Sequence, residues 1–176
     1  MLIGFDLATR KSGWCAGTGE AVPDVGAILL PQVDADLGMM LDLFDQRVAV
    51  LIDRFKPTHF IYEAPILLRS DKLLTVRKLY ALGAHLEFMA RRAGILCCEE
   101  SLKALKIELA GRRNADKADM VAAALKVGVK LPDTLADGRE DAADAFAAWL
   151  IGVRCYARPH SAAWDRRLWS SRSALF

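Results

Sequence analysis

Long apolar runs, a signal segment and paired cysteines are all missing from this sequence of 176 residues. No stretch reaches the roughly 20 consecutive apolar residues of a membrane-spanning helix. The chain also does not open with a basic segment followed by an apolar one, so we expect a soluble, cytoplasmic protein with no membrane partner. The cysteines lack the spacing of a zinc site or a disulfide framework, so neither is predicted. They are Cys15, Cys97, Cys98 and Cys155.

Excess charge is small as well. The net charge of +2 does not by itself indicate a nucleic-acid partner. The sequence contains no internal repeat and no low-complexity linker, and 53% of its residues are hydrophobic, enough for one core. We predict one domain over residues 1–156, followed by a basic and aromatic tail over 157–176.

The tail interleaves arginine with tryptophan and has no clear period. Such a pattern suits contact with phosphates and stacking on bases. It suits equally a tail that only packs its tryptophans on the domain. The residues concerned are Arg158, Trp164, Asp165, Arg166, Arg167, Trp169 and Arg172.

The order of apolar patterns predicts an α/β fold. Three short runs near the start, separated by glycine and charged turns, are typical of antiparallel strands. A period of three to four then predicts a helix over about 36–55, and "THFIYEAP" and "GILCCEE" predict two further strands. Further helices are expected near 72–92, 101–110, 115–127 and 141–156. A βββαβαβααα order predicts a mixed five-stranded sheet with helices on both faces.

Acidic residues stand at unusual places in this pattern. Asp6 interrupts an apolar strand on the side of Leu2 and Gly4, where an isolated carboxylate would cost several kcal/mol. Glu63 ends the apolar strand "FIYE", at the edge of the sheet where α/β sites open. For each, the alternative is an ordinary strand-end acid that binds a turn or solvent.

Two more carboxylates, Asp141 and Asp144, share one face of the late helix "DGREDAADAFAAWL". Two like charges 4 Å apart repel by about 4 kcal/mol at an effective dielectric near 20, so a buried pair needs positive charge nearby. The alternative is a solvated pair in the first turn. Asp137 and Glu140 have the spacing of a capping box, which predicts the start of this helix.

Gathered at one point, these four carboxylates would form an oxygen-rich site of the kind that Mg²⁺ and Mn²⁺ prefer. Two such cations can activate water and stabilise both oxygens that exchange at a phosphodiester. The gathering requires that the first strand and the "FIYE" strand are neighbours, with the late helix above them.

The chain resembles the RuvC-type Holliday junction resolvases of the RNase H-like superfamily. The resemblance rests on Asp6 in "IGFDLATRKSGW", Glu63 in "IYEAP", and Asp141 and Asp144 in "DAADAFA", and it extends over about residues 1–156. It implies an RNase H-like fold and these four residues as ligands of Mg²⁺ or Mn²⁺, two ions per site. The implied activity is an endodeoxyribonuclease, a homodimer that cuts four-way DNA junctions symmetrically.

Basic residues extend the resemblance. Lys106 and Lys117 correspond to lysines that hold DNA phosphates near the scissile bond, and Lys117 is included in the catalytic set. A basic edge beside Glu63 is predicted to contact DNA, although four cations in ten residues also serve solubility. This edge comprises Arg69, Lys72, Arg77 and Lys78.

Two features depart from the family. Ile66 stands where many bacterial members have an aromatic residue that stacks in the opened junction; an isoleucine can wedge between bases but stacks less. The tail looks more like that of phage variants.

The helix over 72–92 has a broad apolar face that suits a two-fold interface or a buried position in a monomer.

Other functions stay open from the sequence. A related RNase H-like nuclease could act on other branched DNA or on RNA, because metal chemistry does not select the substrate. A non-catalytic junction-binding protein would retain the fold without cleavage. The "FDLATRKSGW" hairpin also resembles the phosphate loop of actin-like ATPases, which require a second phosphate loop and a second domain.

Overall fold

The structure is a computed structural model that describes residues 1–31, 36–65 and 72–170, with only the backbone of Trp169 and Ser170. None of the helices in these ranges is both long and apolar enough to cross a bilayer. In these ranges, five strands and six helices follow one another in the order predicted, with one unpredicted helix at the end. The strands are β1 Leu2–Asp6, β2 Lys11–Gly17, β3 Asp24–Leu29, β4 His59–Glu63 and β5 Leu96–Glu100. The helices are α1 Leu37–Phe55, α2 Leu73–Ala93, α3 Leu102–Ala110, α4 Lys117–Lys126, α5 Arg139–Tyr156 and α6 Arg158–Ser170.

The strands form one sheet in the order β3-β2-β1-β4-β5. β1, β2 and β3 pair antiparallel, whereas β4 pairs parallel with β1 and β5 pairs parallel with β4. This arrangement confirms the predicted mixed sheet. β1 therefore lies at the centre, with β4 beside it, and their carboxyl ends meet at the same edge.

Each face of the sheet has its own apolar core. On one face, which we call the α1/α2 face, large side chains from both helices cover alternate residues of the strands, including Phe5 and Phe60. On the other, which we call the α5 face, α3 to α6 cover Leu2, Cys15 and Ile61. Since side chains alternate along a strand, Asp6 lies on the α5 face with Leu2 and Gly4.

Glycines in the sheet let α5 lie directly on β1 and β2. A Cβ atom at Gly4 would stand 2.4 Å from both the Ala145 carbonyl oxygen and the Trp149 amide nitrogen. A Cβ atom at Gly13 would stand 1.9 Å from the Asp141 carbonyl oxygen. These distances are too short for any side chain, so the glycines set how closely the helix approaches.

The predicted capping box of α5 is wrong. The Thr134 hydroxyl donates to Asp137 Oδ2 at 2.6 Å, and Gly138, in the left-handed conformation at φ 87°, is the N-cap residue. Glu140 forms an ion pair with Lys117 instead of a cap. A capping box does form at α4, between Asp116 and Asp119.

The tail is helical as far as the structure describes it. Trp164 and Leu168 of α6 are buried in the core of the α5 face. The Trp164 indole donates from Nε1 to the Gly19 carbonyl oxygen at 2.7 Å. Arg154 of α5 binds both Glu108 of α3 and Asp165 of α6. The alternative in which the tail packs a tryptophan on the domain is therefore what the structure shows for Trp164.

Candidate active site

Two of the four predicted carboxylates come from neighbouring strands. Asp6 is the last residue of β1 and Glu63 the last of β4. In the parallel register Phe5 lies opposite Tyr62, so Asp6 and Glu63 follow side by side at the carboxyl edge. Both side chains are half-buried.

The other two carboxylates come from the first turns of α5. Because the Asp141 backbone rests on Gly13, and Gly13 is the partner of Asp6 in the β1–β2 register, the helix begins directly over Asp6. Asp144, one turn further along, lies on the same side of the helix. The structure thus brings together all four residues predicted from separate segments, Asp6, Glu63, Asp141 and Asp144.

Burial and mutual repulsion dominate the electrostatics of this acidic cluster. Burial raises the pKa of Asp6 well above its ordinary value, and the charges of Asp144, Glu63 and Asp141 raise it further. Burial, followed by the charge of Asp144, raises the pKa of Glu63 to about 7. Burial raises the pKa of Asp144 to about 6 despite the opposing charge of Lys117. Each carboxylate therefore lacks enough positive charge around it.

Two predicted lysines face the acidic cluster. Lys117, the first residue of α4, places its Nζ 3.0 Å from Glu140 Oε2. Burial lowers the pKa of Lys117, but the bond to Glu140 and the charges of Glu140, Asp144 and Asp141 outweigh it and raise the pKa. Lys106 of α3 acts on the cluster from another side, because its charge lowers the pKa of Glu63 and of Asp144.

Sequence reasoning missed Lys11. Its charge lowers the pKa of Asp141, and its Nζ donates to the Leu135 carbonyl oxygen in the loop before α5. Lys11 thus ties β2 to the segment that delivers Asp141. The signal in the sequence was slight: a lysine in the turn that follows Asp6.

The remaining predicted DNA-binding residues lie elsewhere or outside the described ranges. Lys72 and Arg77 are exposed at the start of α2, while Lys78 is 7% exposed. Ile66 and Arg69 lie outside the described residues, so their predicted contacts stay predictions. The basic edge predicted from the sequence is therefore described only in its α2 part.

The chemistry of the cluster suits a hard divalent cation, which prefers carboxylate oxygens. Burial raises the pKa of all four carboxyl groups, and neighbouring cluster charges raise those of Asp6, Glu63 and Asp144 further, as expected for a ligand set that a cation would compensate. In the described ranges, no three His, Cys, Asp or Glu side chains are already disposed around one point as metal ligands. The residues fit the cation by type and by charge.

A search for proteins of similar sequence finds RuvC. No family model matches the chain. The crossover junction endodeoxyribonuclease RuvC of Akkermansia muciniphila is 28% identical over 153 residues, which are 85% of this chain and 87% of that protein.

Solved structures of Holliday junction resolvases have a similar fold. RuvC of T. thermophilus in complex with a Holliday junction substrate superposes with a TM-score of 0.71 at 19% identity, over 91% of this chain and 96% of that one. The yeast mitochondrial Holliday junction resolvase has a TM-score of 0.56 at 15% identity, over 98% and 81%. The resemblance predicted from the sequence is confirmed: in sequence and in fold this chain is similar to the RuvC-type Holliday junction resolvases, and its fold is RNase H-like.

Proposed function

We propose that this protein is an endodeoxyribonuclease that resolves four-way DNA junctions by divalent-cation-dependent hydrolysis of phosphodiester bonds. The observation that carries the proposal is the meeting of Asp6, Glu63, Asp141 and Asp144 at one edge of the sheet, from three elements far apart in the chain. A surface that only bound phosphates would gain nothing from this concentrated negative charge. The similarity to RuvC supports junctions as the substrate.

The chain's own residues would divide the work as follows. Asp6, Glu63, Asp141 and Asp144 would hold Mg²⁺ or Mn²⁺, two ions in our proposal. When bound, such cations activate water and stabilise charge on both exchanging oxygens of the phosphodiester. Lys117 and Lys106 would meet phosphate oxygens and offset the negative charge that the substrate adds to the acidic cluster.

The test is an assay of nicking on labelled four-way, Y-shaped and linear duplex DNA at one salt concentration, with Mg²⁺ and with Mn²⁺. We expect selective, paired nicks in the four-way junction. Asp6→Asn and Asp144→Asn should each lower the rate about 100-fold or more, because several kcal/mol of charge stabilisation is lost. Undiminished nicking by both variants would contradict the mechanism.

Glu87→Gln is the matched control. Glu87 lies on the α1/α2 face, where it accepts a hydrogen bond from the Tyr62 hydroxyl at 2.6 Å. An amide oxygen can accept the same bond, so this variant should nick at the wild-type rate. Preferential cleavage of Y-shaped DNA would favour a related nuclease that acts on other branched DNA, and binding without cleavage would favour a non-catalytic junction protein. ATP binding without junction binding would favour an ATPase-like role.

We further propose a homodimer, because paired cuts in two strands need two active sites. One face of α2 leaves large apolar side chains in solvent at helical spacing: Leu73 is 84%, Tyr80 51% and Phe88 55% exposed. With Arg77 and Ala84, they form a continuous stripe. We expect a dimer in sedimentation analysis of the wild type and a monomer for Tyr80→Glu; an unchanged monomer in both would remove the proposal.

A further inference from the structure

A cavity of about 360 Å³ opens beside the first turns of α2, and no step of the proposed chemistry uses it. We call it the α2 pocket. It is lined by Thr9, Arg10, Pro31, Lys72, Leu74, Thr75 and Lys78. Its volume lies at the lower end of the range for small-ligand sites, and is larger than a single phosphate group needs.

The lining is basic and rich in hydrogen-bond donors. Arg10, Lys72 and Lys78 contribute three cations and Thr9 and Thr75 two hydroxyls, while no carboxylate is among the described side chains that line it. Lys78 is buried, at 7% exposed, so the cations that an incoming anion meets first are the exposed Arg10 and Lys72.

The start of α2 adds to the positive potential. Lys72 is its N-cap residue, in an extended conformation and with no side-chain cap hydrogen bond, and the first turn carries no acidic residue. Leu74 and Thr75, in that first turn, line the pocket. The amide groups of a first helical turn and the helix dipole both attract anions.

The opposite wall is held rigidly. The Ser12 hydroxyl, buried in β2, bonds both the amide and the carbonyl of Ala8, at 3.2 and 3.1 Å. The Leu30 amide donates to the Arg10 carbonyl oxygen at 2.8 Å. The turn that carries Thr9 and Arg10 is therefore fixed against the sheet before any ligand arrives, which lowers the entropic cost of binding.

The position relates the pocket to the acidic cluster. Thr9 and Arg10 lie three and four residues after Asp6, and α2 is the helix that follows Glu63 in the chain. Both features lie at the carboxyl edge of β1 and β4, the acidic cluster on the α5 face and the pocket on the α1/α2 face. A nucleic-acid strand crossing this edge would present one phosphate to each.

We propose that the α2 pocket binds a backbone phosphate of the nucleic-acid strand that crosses the acidic cluster, and so fixes which phosphodiester reaches the carboxylates. The identity of the ligand as DNA rests on the proposed function. The binding of a phosphate group depends only on the residues of the pocket. Arg10 and Lys72 supply charge, Thr9 and Thr75 supply hydroxyl donors, and the α2 amides complete the cradle.

The first experiment measures equilibrium binding of the four-way junction by the full chain, in EDTA so that no cleavage occurs, over 50 to 200 mM salt. A protein that neutralises one phosphate fewer shows a flatter salt dependence, so Arg10→Gln should lose about threefold less affinity over this range than the wild type. Thr75→Val should weaken binding without changing the slope. Arg91→Gln, an exposed arginine in the last turn of the same helix, is the matched control and should behave as the wild type.

The second experiment uses junctions in which a neutral methylphosphonate replaces one phosphate at a time. One position should weaken binding by the wild type several-fold and leave Arg10→Gln unaffected, which would identify the phosphate in the pocket. If Arg10→Gln and Arg91→Gln give the same salt slope and the same substitution pattern, the proposal is overturned.

A third experiment separates the source of the phosphate and does not depend on nuclease activity. Inorganic phosphate and a deoxynucleoside triphosphate are titrated into the labelled protein, and amide shifts are followed by NMR. Shifts at Thr9, Arg10, Leu74 and Thr75 that Arg10→Gln reduces would support the pocket even if no junction is cut. Tight binding of the triphosphate, with the DNA salt slope unchanged in Arg10→Gln, would overturn the nucleic-acid assignment.

Discussion

The two faces of the sheet differ in how closely their helices pack against the strands. On the α1/α2 face, Phe44 and Met40 of α1 lie over a layer that contains Phe5 and Phe60, whose rings meet edge to face at 5.1 Å. On the α5 face the helix backbone itself touches the sheet, because Gly4 and Gly13 carry no side chains. Half of the buried positions of α5 are alanine, among them Ala145 over Gly4.

The difference explains where the acidic cluster can form. A thick layer of large side chains would hold a helix far from the strands, so carboxylates on the helix and on β1 could not meet. Direct contact between α5 and β1 leaves the Asp141 backbone against Gly13, beside Asp6. The large side chains of the α1/α2 face thus contribute hydrophobic stabilisation. The close contact on the α5 face brings the carboxylates of α5 near that of Asp6.

The largest difference in stability and activity between the two faces is expected for a pair of glycine substitutions. In Gly13→Ala the new Cβ would overlap the Asp141 carbonyl oxygen, so α5 must shift, at a cost of about 3 kcal/mol or more. In Gly83→Ala on α2 the Cβ would meet Tyr62 Cε2 at 3.6 Å, an ordinary contact, and higher helix propensity should stabilise by up to about 1 kcal/mol. Urea denaturation and nicking rates measure both, and equal losses in the two variants would refute the comparison.

Buried side chains of the two faces should respond differently to a change of volume. Ala145→Val overpacks the closely approached helix and should cost about 1–3 kcal/mol, with reduced nicking because Asp144 is its neighbour. Phe44→Leu on α1 should cost about 1–2 kcal/mol of unfolding free energy, with nicking per folded molecule unchanged. A loss of specific activity in Phe44→Leu would show that the faces are coupled.

Removal of one carboxylate charge tests whether repulsion within the acidic cluster destabilises the α5 face. Without divalent cations, Asp6→Asn should raise the unfolding free energy by about 1 kcal/mol, because one of four mutually repelling carboxylates is gone. Mn²⁺ at about 100 times its dissociation constant should stabilise the wild type by about 2.7 kcal/mol, and stabilise Asp6→Asn much less. The measurement is Tm at pH 8 with EDTA and with Mn²⁺; an equal cation shift in both proteins would contradict a site at Asp6.

The smallest effect on stability is expected at Lys117. Its side chain is 60% exposed, so loss of the ion pair with Glu140 in Lys117→Gln should cost less than about 1 kcal/mol. Nicking should nevertheless fall, because positive charge is lost beside the acidic cluster. Arg112→Gln removes the ion pair with Asp119 at the start of the same helix region and is the control for stability; equal nicking in the two variants would argue against a role for Lys117 at the substrate.

Much of this molecule was accessible from its sequence. The strands and helices could be predicted because apolar residues of β1, β4 and α1 repeat at two or at three to four, which is a local property of the chain. Asp6 and Glu63 could be assigned to the ends of two strands, and their meeting at one edge depended on the parallel pairing of β1 with β4 that the structure shows. The capping of α5 could not be predicted: the spacing of Asp137 and Glu140 indicated a capping box, but Asp137 accepts a hydrogen bond from the Thr134 hydroxyl instead.

The tail shows the same limit. Its alternation of arginine and tryptophan predicted two functions equally, and only the burial of Trp164 against the α5 core distinguished them for that residue. Lys11 was missed because its contact with Leu135 spans more than a hundred residues. Neither contact leaves a periodic signal.

The sequence by itself determined the order and type of the elements from β1 to α5, the strand ends at which Asp6 and Glu63 lie, and the resemblance to the RuvC-type resolvases, because each depends on local periodicity or on motifs. Only the tertiary structure decided how closely α5 approaches β1, how burial raises the pKa values of the four carboxyl groups, and that Arg10 and the start of α2 enclose a pocket. Those properties depend on distances between segments remote in the chain, which packing sets and local patterns do not encode.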